Sequence, residues 1–217
     1  MVEEVKLHEG GPSPGAPPGR GPLQAEAMTG KDGCRPHGLI RAGDLPGPMS
    51  MRLLVSAHVL AMLDPTCAYL VEDAAGIFGR AGIVEPLIPY GAAACCRLAL
   101  WIWTGGNFPD ELDIVSNSHF RAPVHGRIIQ VHNRRLPTDH LMKLGRLWAT
   151  SPMWTACEIA CLDQAICNGE DRMACLHELM ERYQVSPLDC LDLLQKNPRW
   201  PGHAVGVGTL SGLKGLL

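Results

Sequence analysis

The sequence lacks a strong excess of charge of either sign. Its 19 Lys and Arg residues are set against 22 Asp and Glu residues, which gives a formal net charge of -3 and a pI near 6.3. This balance excludes a generally basic protein that coats nucleic acid, so any contact with nucleic acid must be local. Such a contact would be of modest strength and sensitive to salt.

A secretory leader and a membrane-spanning run are also missing. The N-terminus, Met1 to Glu4, has no basic flank followed by an apolar core. The longest apolar run, Ala92 to Trp103, is interrupted by Arg97 and is shorter than the roughly 20 residues that cross a bilayer. We therefore expect a cytoplasmic protein that makes no contact with a membrane.

Motifs for catalysis and metal binding are absent as well. The chain has no phosphate-loop or dinucleotide fingerprint and no G-x-S-x-G elbow. Its nine cysteines form no C-x2-C knuckle and are scattered through apparent helices, which is typical of reduced core thiols. A zinc site around Cys157 and Cys161 is the alternative. We predict a non-enzymatic protein without a cofactor.

The histidines of the central segment follow no metal-ligand spacing. They are His119, His125, His132 and His140, and no acid is paired with them in the sequence. We therefore expect histidines of the surface or of turns.

The N-terminal segment, residues 1 to 48, differs in composition from the rest of the chain. It is rich in proline and glycine, as in the run GGPSPGAPPGRGP, and carries few large apolar side chains. Such a segment buries too little surface to offset its chain entropy, so we expect a disordered tail. The remainder, residues 49 to 217, is long enough for a single well-buried domain.

Within this domain, helical and strand-like apolar patterns follow one another. Helices are predicted at 51–63 and 91–103, with a short strand at 67–71. Alternation and β-branched residues suit a small antiparallel sheet, with strands at 112–116, 127–132 and 146–150. The pattern after the last strand is helical. The predicted fold class is α+β, with a small antiparallel sheet packed on a predominantly helical core and a helical C-terminal half.

A sharply defined helix start follows the last predicted strand. The Ser151 side chain can accept a backbone N–H, and Pro152 has no donor to leave unpaired at the first helical position. This helix is expected to reach about Cys167. Glu158 lies within its mostly apolar stretch, and an unpaired buried carboxylate is costly. We therefore expect Glu158 to pair with an arginine of the sheet.

Basic residues are concentrated around the predicted sheet. Asp139 is the only acid between His119 and Thr150, and the basic residues near the strands are Arg121, Arg127, Arg134, Arg135, Lys143 and Arg146. Basic side chains on strand edges can simply solvate the surface and discourage aggregation. Gathered on one face, they can instead contact the phosphates of nucleic acid or an acidic partner. The second interpretation predicts a nucleic-acid-binding face.

Four segments between Leu98 and Asp163 carry a family resemblance. They are the helix ending WIWTGG, the strand ELDIVS, the segment GRIIQVHNRRLP and the motif TSPMWTACEIA. In this order they resemble the AbiEi-type antitoxin and regulator family of actinobacterial type IV toxin-antitoxin systems. In that family a strand ending in Thr-Ser-Pro leads into a helix with Arg-Thr-Ala and then an acid. The matching positions are Thr150, Ser151, Pro152, Thr155, Ala156 and Ala160, with Glu158 for the usual Asp and Trp154 for the usual Arg.

The resemblance implies a function in regulation. It implies an antitoxin that opposes a nucleotidyltransferase-like toxin without touching it, and that represses its own operon by binding operator DNA through an N-terminal winged helix. Residues 1–90 show no clear helix-turn-helix sequence. Similar modules also precede nuclease domains of the very-short-patch-repair type, and the tail PRWPGHAVGVGTLSGLKGLL looks like the lead-in to one. The alternative expectation is therefore a degenerate or truncated module of a nuclease-associated protein.

Overall fold

Helices surround two β-sheets in the part of the chain that the computed structural model describes, which comprises residues 38–47, 49–118, 120, 122–134, 136–162 and 171–214. Residues Arg35–Leu217 form one compact unit. This architecture confirms the predicted α+β class. Within the described ranges, no helix combines the length and the apolar character needed to span a membrane.

The smaller sheet is antiparallel and has the strand order β1–β3–β2. Its elements are β1 (Ile40–Arg41), helix α1 (Ser50–Ser56), β2 (Leu60–Asp64) and β3 (Cys67–Leu70). The predicted tail boundary at residue 48 is therefore wrong, because Ile40 pairs with Ala68 and ties residues 38–47 to the sheet. Residues 1–37 and 48 lie outside the described part of the chain.

Helix α1 is shorter than the helix predicted at 51–63. Its chain leaves the helical conformation at His58, which has a left-handed φ of 56°, and Leu60–Asp64 then pairs with β3. The apolar run was compatible with both structures because Met51 of α1, Leu60 of β2 and Ala68 of β3 share one small core. The pairing of Leu60–Asp64 with β3 makes this part of the run a strand and not a helix.

Helix α2 (Ile77–Val84) and helix α3 (Cys96–Thr104) pack on each other beside the sheets. The two-residue strand β4 (Ala93–Ala94) precedes α3, so the helix predicted from Gly91 begins only at Cys96. Buried Arg80 of α2 fastens the other end of α3. Its guanidinium donates to the carbonyl oxygens of Ile102 and Trp103, which a helix C-terminus leaves without an intrahelical partner.

The larger sheet has the strand order β6–β5–β4–β8–β7, with β5 (Glu111–Val115), β6 (Ile128–His132), β7 (Leu141–Leu144) and β8 (Leu147–Thr150). It is mixed, not antiparallel as predicted. Strands β5 and β6 are parallel, as are β4 and β8, whereas the other two pairs are antiparallel. Residues 116–127 return the chain to the starting end of β5, so that β6 runs in the same direction.

Alternation along the strands separates the two faces of the larger sheet. Leu112 and Ile114 are fully buried in the main core. Asp113 lies on the opposite face, as does His132 of the neighbouring strand. We call this second face, defined by Glu111, Asp113, Val115, Gln130 and His132, the polar sheet face.

The C-terminal half is helical, with α4 (Pro152–Ala160), α5 (Arg172–Tyr183), α6 (Pro187–Lys196) and α7 (His203–Leu213). Helix α4 packs against α3, α5, α6 and α7, which explains its apolar circumference. It ends at Ala160, before the predicted Cys167, and residues 163–170 lie outside the described part. Gly206 allows α7 to approach α4 closely, because a Cβ there would lie 2.4 Å from the Cys161 sulfur.

Candidate functional site

The basic residues predicted to form one face are distributed over separate places. Arg127 bridges the two sheets: its guanidinium donates to the carbonyls of Pro109 and Leu63 and stacks on Phe108. Arg134 turns inward toward Glu158. Lys143 and Arg146 lie together at the β7–β8 edge.

The prediction of a single basic face on the sheet is therefore wrong for the described members of the cluster. Arg127, Arg134 and the pair Lys143 and Arg146 line three different concavities. They are separated because backbone carbonyls bind Arg127 and a buried carboxylate attracts Arg134. Arg121 and Arg135 lie outside the described residues. Among the described members of the cluster, only Lys143 and Arg146 lie close together and exposed.

A two-residue turn positions these two residues. Gly145 has a left-handed φ of 63° at the first position of the turn, as a type II′ hairpin requires, and Arg146 follows it. Lys143 lies directly opposite Trp148, with its ammonium 5.7 Å from the indole ring. Arg146 pairs with Glu85 at 2.9 Å, yet its side chain remains 83% exposed.

The concavity at this edge has a volume of about 410 Å³, and we call it the edge concavity; its lining includes Glu85, Tyr90, Lys143, Arg146 and Trp148. Tyr90 is fully exposed and Trp148 is 40% exposed. Two aromatic rings and two cations thus converge on one open surface. Such a surface can stack flat rings and attract anions.

A buried polar network surrounds Glu158 of α4. Its carboxylate accepts hydrogen bonds from the Cys96 backbone N–H at 2.8 Å, the Trp154 indole N–H at 3.2 Å and the Thr150 hydroxyl at 3.3 Å. The Thr150 hydroxyl also contacts the Thr155 hydroxyl at 2.8 Å. The motif residues therefore join strand β8 to helix α4. Trp154 supplies a neutral donor to the same carboxylate.

Ser151 and Glu158 of this motif make the contacts that the sequence predicted. Ser151 caps α4, with its side chain accepting from the Trp154 backbone N–H, and Pro152 occupies the first turn. Arg134 lies 3.3 Å from Glu158, Nη1 to Oε1, which confirms the expected partner. Nη1 is not aligned for a hydrogen bond, and among the described residues this buried nitrogen has no hydrogen-bond partner.

Burial dominates the electrostatics of Glu158 and raises its pKa to about 8, although Arg134 and the Cys96 N–H act in the opposite direction. The set of contacts holds a carboxyl group in place and leaves it fully enclosed. Among the described residues, the groups that contact this carboxyl include no second acid for general acid–base chemistry. The arrangement fits a structural clasp between β8, α3 and α4.

A series of polar contacts continues from Arg134 across the polar sheet face. Arg134 Nη2 donates to His132 Nδ1 at 3.2 Å, and His132 Nε2 contacts Asp113 Oδ1 at 2.8 Å. Asp113 in turn accepts from Arg97 Nε at 2.8 Å, and Arg97 also pairs with Glu111. Burial lowers the pKa of His132, but the contacts with Asp113 and Cys96 outweigh it and raise the pKa to about 10. The contact with Arg134 at Nδ1 needs the neutral ring, whereas the protonated ring would present Nδ1–H to Cys96.

These contacts overturn the expectation that the histidines have no paired acid. His132 pairs with Asp113 and His125 pairs with Asp64, because the fold brings β5 beside β6 and the β2–β3 hairpin beside residue 125. His140 packs against the Trp154 ring, and burial lowers its pKa. His119 lies outside the described residues.

Two cysteines lie next to His132 at the start of α3. Cys95, Cys96 and His132 could hold a metal ion, since one possible ligand atom from each lies within 4.8 Å of the others. A hydrogen bond from the Cys95 thiol lowers the pKa of Cys96 to about 6; burial opposes this and His132 assists it. Burial raises the pKa of Cys95. Cys95 and Cys96 are both free thiols.

Sequence reasoning missed Asp113, Arg97 and the Cys95–Cys96 pair. One signal was available: Asp113 is an acid between Leu112 and Ile114 in a strand predicted to be half buried. Its partners come from α3 and β6 and could not be named without the pairing of the strands. No family model, curated protein or solved structure matches the chain.

Proposed function

We propose that the chain is a non-enzymatic, antitoxin-like regulatory protein that binds nucleic acid at the edge concavity. The observation that carries the proposal is the convergence of Lys143 and Arg146 with the exposed rings of Tyr90 and Trp148. Cations attract phosphates regardless of sequence, and aromatic rings stack on unpaired or splayed bases. Promoter DNA is the expected partner.

The smaller sheet offers a second support for a regulatory role. Helix α1 stands between the first and second strands of a β1–β3–β2 antiparallel sheet, which is the connectivity of the C-terminal half of a winged helix. Fold connectivity alone is a weak basis for function. Over residues 38–71, Arg41 and Arg52 are balanced by Asp44 and Asp64. We therefore place the phosphate contacts at the edge concavity and not at α1.

The resemblance in the Thr-Ser-Pro motif supplies the rest of the proposal. By it, the protein acts in the cytoplasm, represses its own operon and opposes a nucleotidyltransferase-like toxin without direct contact. The enclosed clasp around Glu158 supports a structural role for that motif, since its functional groups face one another and not a cleft.

A mobility-shift titration tests the proposal. The wild-type chain is titrated against the DNA upstream of its own reading frame, in duplex and single-stranded form, over a series of salt concentrations. Removing both cations in Lys143→Ala/Arg146→Ala should weaken binding by about tenfold or more and reduce the salt slope by about 2. Trp148→Ala should weaken the single-stranded complex more than the duplex.

Two further variants locate the contact. Lys196→Ala/Lys214→Ala changes the net charge equally at exposed positions elsewhere and should bind like the wild type. Arg41→Ala/Arg52→Ala tests the winged-helix-like unit. The proposal fails if the wild type binds neither form of DNA at low salt, or if the edge variant binds as tightly as the wild type. Selective loss in the Arg41/Arg52 variant would move the contact to α1.

A further inference from the structure

The backbone at the start of α3 directs two successive thiols to the same side. Consecutive residues of an extended chain normally point to opposite faces. Cys96 interrupts this alternation with a φ of 46°, in the left-handed region that a residue with a Cβ rarely adopts. As a result, sulfur atoms of Cys95 and Cys96 both lie within 4.8 Å of a ring nitrogen of His132. Strain of this kind is found most often at functional sites.

The ring of His132 is oriented from behind by a carboxylate. Asp113 holds Nε2 at 2.8 Å, and Arg97 holds Asp113 in turn, so Nδ1 is the nitrogen left to face the thiols. A carboxylate behind the distal nitrogen is the usual support of a histidine that ligates a metal. In the neutral ring, it leaves the lone pair on Nδ1.

A cation already lies where the lone pairs converge. Arg134 Nη2 is 3.2 Å from His132 Nδ1 and 4.0 Å from Cys96 Sγ. A single positively charged nitrogen therefore contacts both acceptors. Cys95 directly follows β4, Cys96 is the first residue of α3, and His132 is the last residue of β6. The packed core, and not a loop, therefore defines the positions of the three ligand atoms.

We propose that Cys95 Sγ, Cys96 Sγ and His132 Nδ1 bind a thiophilic divalent cation of the Zn²⁺ class, in exchange for the guanidinium of Arg134. Sulfur with imidazole nitrogen is the ligand set that such cations prefer over magnesium or calcium. Binding requires both sulfurs as thiolates and Nδ1 without a proton, so any proton that these groups still carry leaves to solvent, and the two thiolates then balance the charge of the ion.

A route from solvent exists on the side of Arg134. The side chains of His132 and Arg134 are 20% and 21% exposed, whereas Cys96 is only 2% exposed. Arg134 lies over the Trp200 ring at 5.5 Å and borders a cavity of about 570 Å³. The guanidinium can move into this cavity and retain its contact with the indole. An ion can reach the thiols by this route.

The same residues resemble a Cys–His–Asp catalytic group, and the burial of the thiols decides between the two possibilities. A nucleophilic sulfur must reach an atom of a substrate, and Cys95 and Cys96 are only 0% and 2% exposed. A small ion needs only the displacement of one side chain. Binding of an ion is therefore the activity that this geometry allows.

Cobalt(II) is a suitable probe because its bonds to thiolate give a charge-transfer absorption band. The full chain, reduced and stripped with a chelator, is titrated with Co²⁺ in the absence of oxygen. We expect the band to saturate at about one ion per chain and to vanish when Zn²⁺ is added. Cys95→Ser/Cys96→Ser should abolish it, and His132→Asn should weaken Co²⁺ binding by about tenfold or more.

A matched pair of thiols serves as the control. Cys157 and Cys190 are also buried neighbours, with Cys157 Sγ donating to the Cys190 carbonyl at 3.6 Å, and Cys157→Ser/Cys190→Ser should keep the band. Arg134→Gln should tighten Co²⁺ binding, because the competing cation is gone. Circular dichroism establishes that each variant is folded. A wild type without the band, or a band that survives in the Cys95/Cys96 variant, overturns the proposal.

Discussion

Arg134 and Glu158 face each other across the junction of the larger sheet and helix α4, with Nη1 3.3 Å from Oε1. Arg134 thereby connects two groups of residues. On one side lies the enclosed network of Glu158, and on the other lie His132 and the thiol of Cys96. The surface cation that the sequence predicted is thus a component of the interior, and its loss should be felt as a loss of stability.

The first prediction concerns this ion pair. Above the pKa of Glu158 of about 8, where the enclosed group is a carboxylate, Arg134→Ala leaves it without its cation and should lower the free energy of unfolding by about 2–4 kcal/mol. Arg134→Gln/Glu158→Gln removes both charges and should cost less than the sum of the two single variants. Urea unfolding of the four proteins measures the coupling. Additive effects would mean that the two groups do not interact.

The second prediction concerns pH. The pKa of Glu158 is raised from 4.5 to about 8 by burial, so between these values the folded protein holds a proton that the unfolded chain releases. The stability of the wild type should therefore fall as pH rises, with a slope of up to about 1.4 kcal/mol per pH unit from this group. Glu158→Gln cannot release the proton and should show a flatter profile.

The comparison is cleanest near about pH 5, because Cys96, whose pKa is lowered to about 6, adds a slope of opposite sign at higher pH. Asp113 raises the pKa of His132, although burial opposes it, so any stability from that group is fully present below its unfolded value of 6.5 and is lost only as pH rises further. Urea unfolding at several pH values gives the slopes. Identical slopes for the wild type and Glu158→Gln would contradict the assignment of the titration to Glu158.

The third prediction concerns Arg80, whose guanidinium donates to the carbonyls of Ile102, Trp103, Ala74 and Ala75. Arg80→Met fills a similar volume and leaves these acceptors without a donor, which should cost roughly 3 kcal/mol. Arg80→Lys should recover less than half of this loss, because an ammonium cannot span four acceptors. Thermal unfolding measures both.

Arg52 provides the control for that comparison. It lies exposed on α1, and Arg52→Met should change the stability by no more than about 0.5 kcal/mol. If Arg80→Met were as mild as Arg52→Met, the carbonyls at the end of α3 would not depend on the guanidinium.

The fourth prediction concerns the start of α4. The Ser151 side chain accepts the Trp154 backbone N–H at 3.3 Å, and Ser151→Ala should reduce the free energy of unfolding by about 1 kcal/mol. Ser50→Ala at the start of α1, where no side-chain cap exists, is the control and should have little effect. Chemical denaturation of the two variants compares them. Equal effects would exclude a capping role for Ser151.

Local sequence signals identified several elements correctly. Ser151 and Pro152 start α4 as predicted, and the described part of the chain after it is largely helical. These assignments depend on hydrogen bonds between residues that are close in the chain. The predicted helix at 51–63 and the antiparallel sheet were wrong because both depended on which distant strand each segment pairs with.

The candidate sites show the same division. The sequence singled out Lys143 and Arg146 by charge alone, and it expected an arginine partner for Glu158, which the structure confirms. It gave no reason to place Cys96 beside His132, or Tyr90 beside Trp148. Those neighbours are brought together by strand order and by the packing of α3.

The sequence by itself determined that the chain after residue 150 is mainly helical, that Ser151 begins a helix, and that Glu158 needs a partner, because these follow from local hydrogen bonding and from the cost of burying charge. The tertiary structure alone decided which basic residues remain on the surface. A guanidinium turns toward nearby hydrogen-bond acceptors. The carbonyls around Arg127 and the carboxylate beside Arg134 are brought into place only when distant elements pack together.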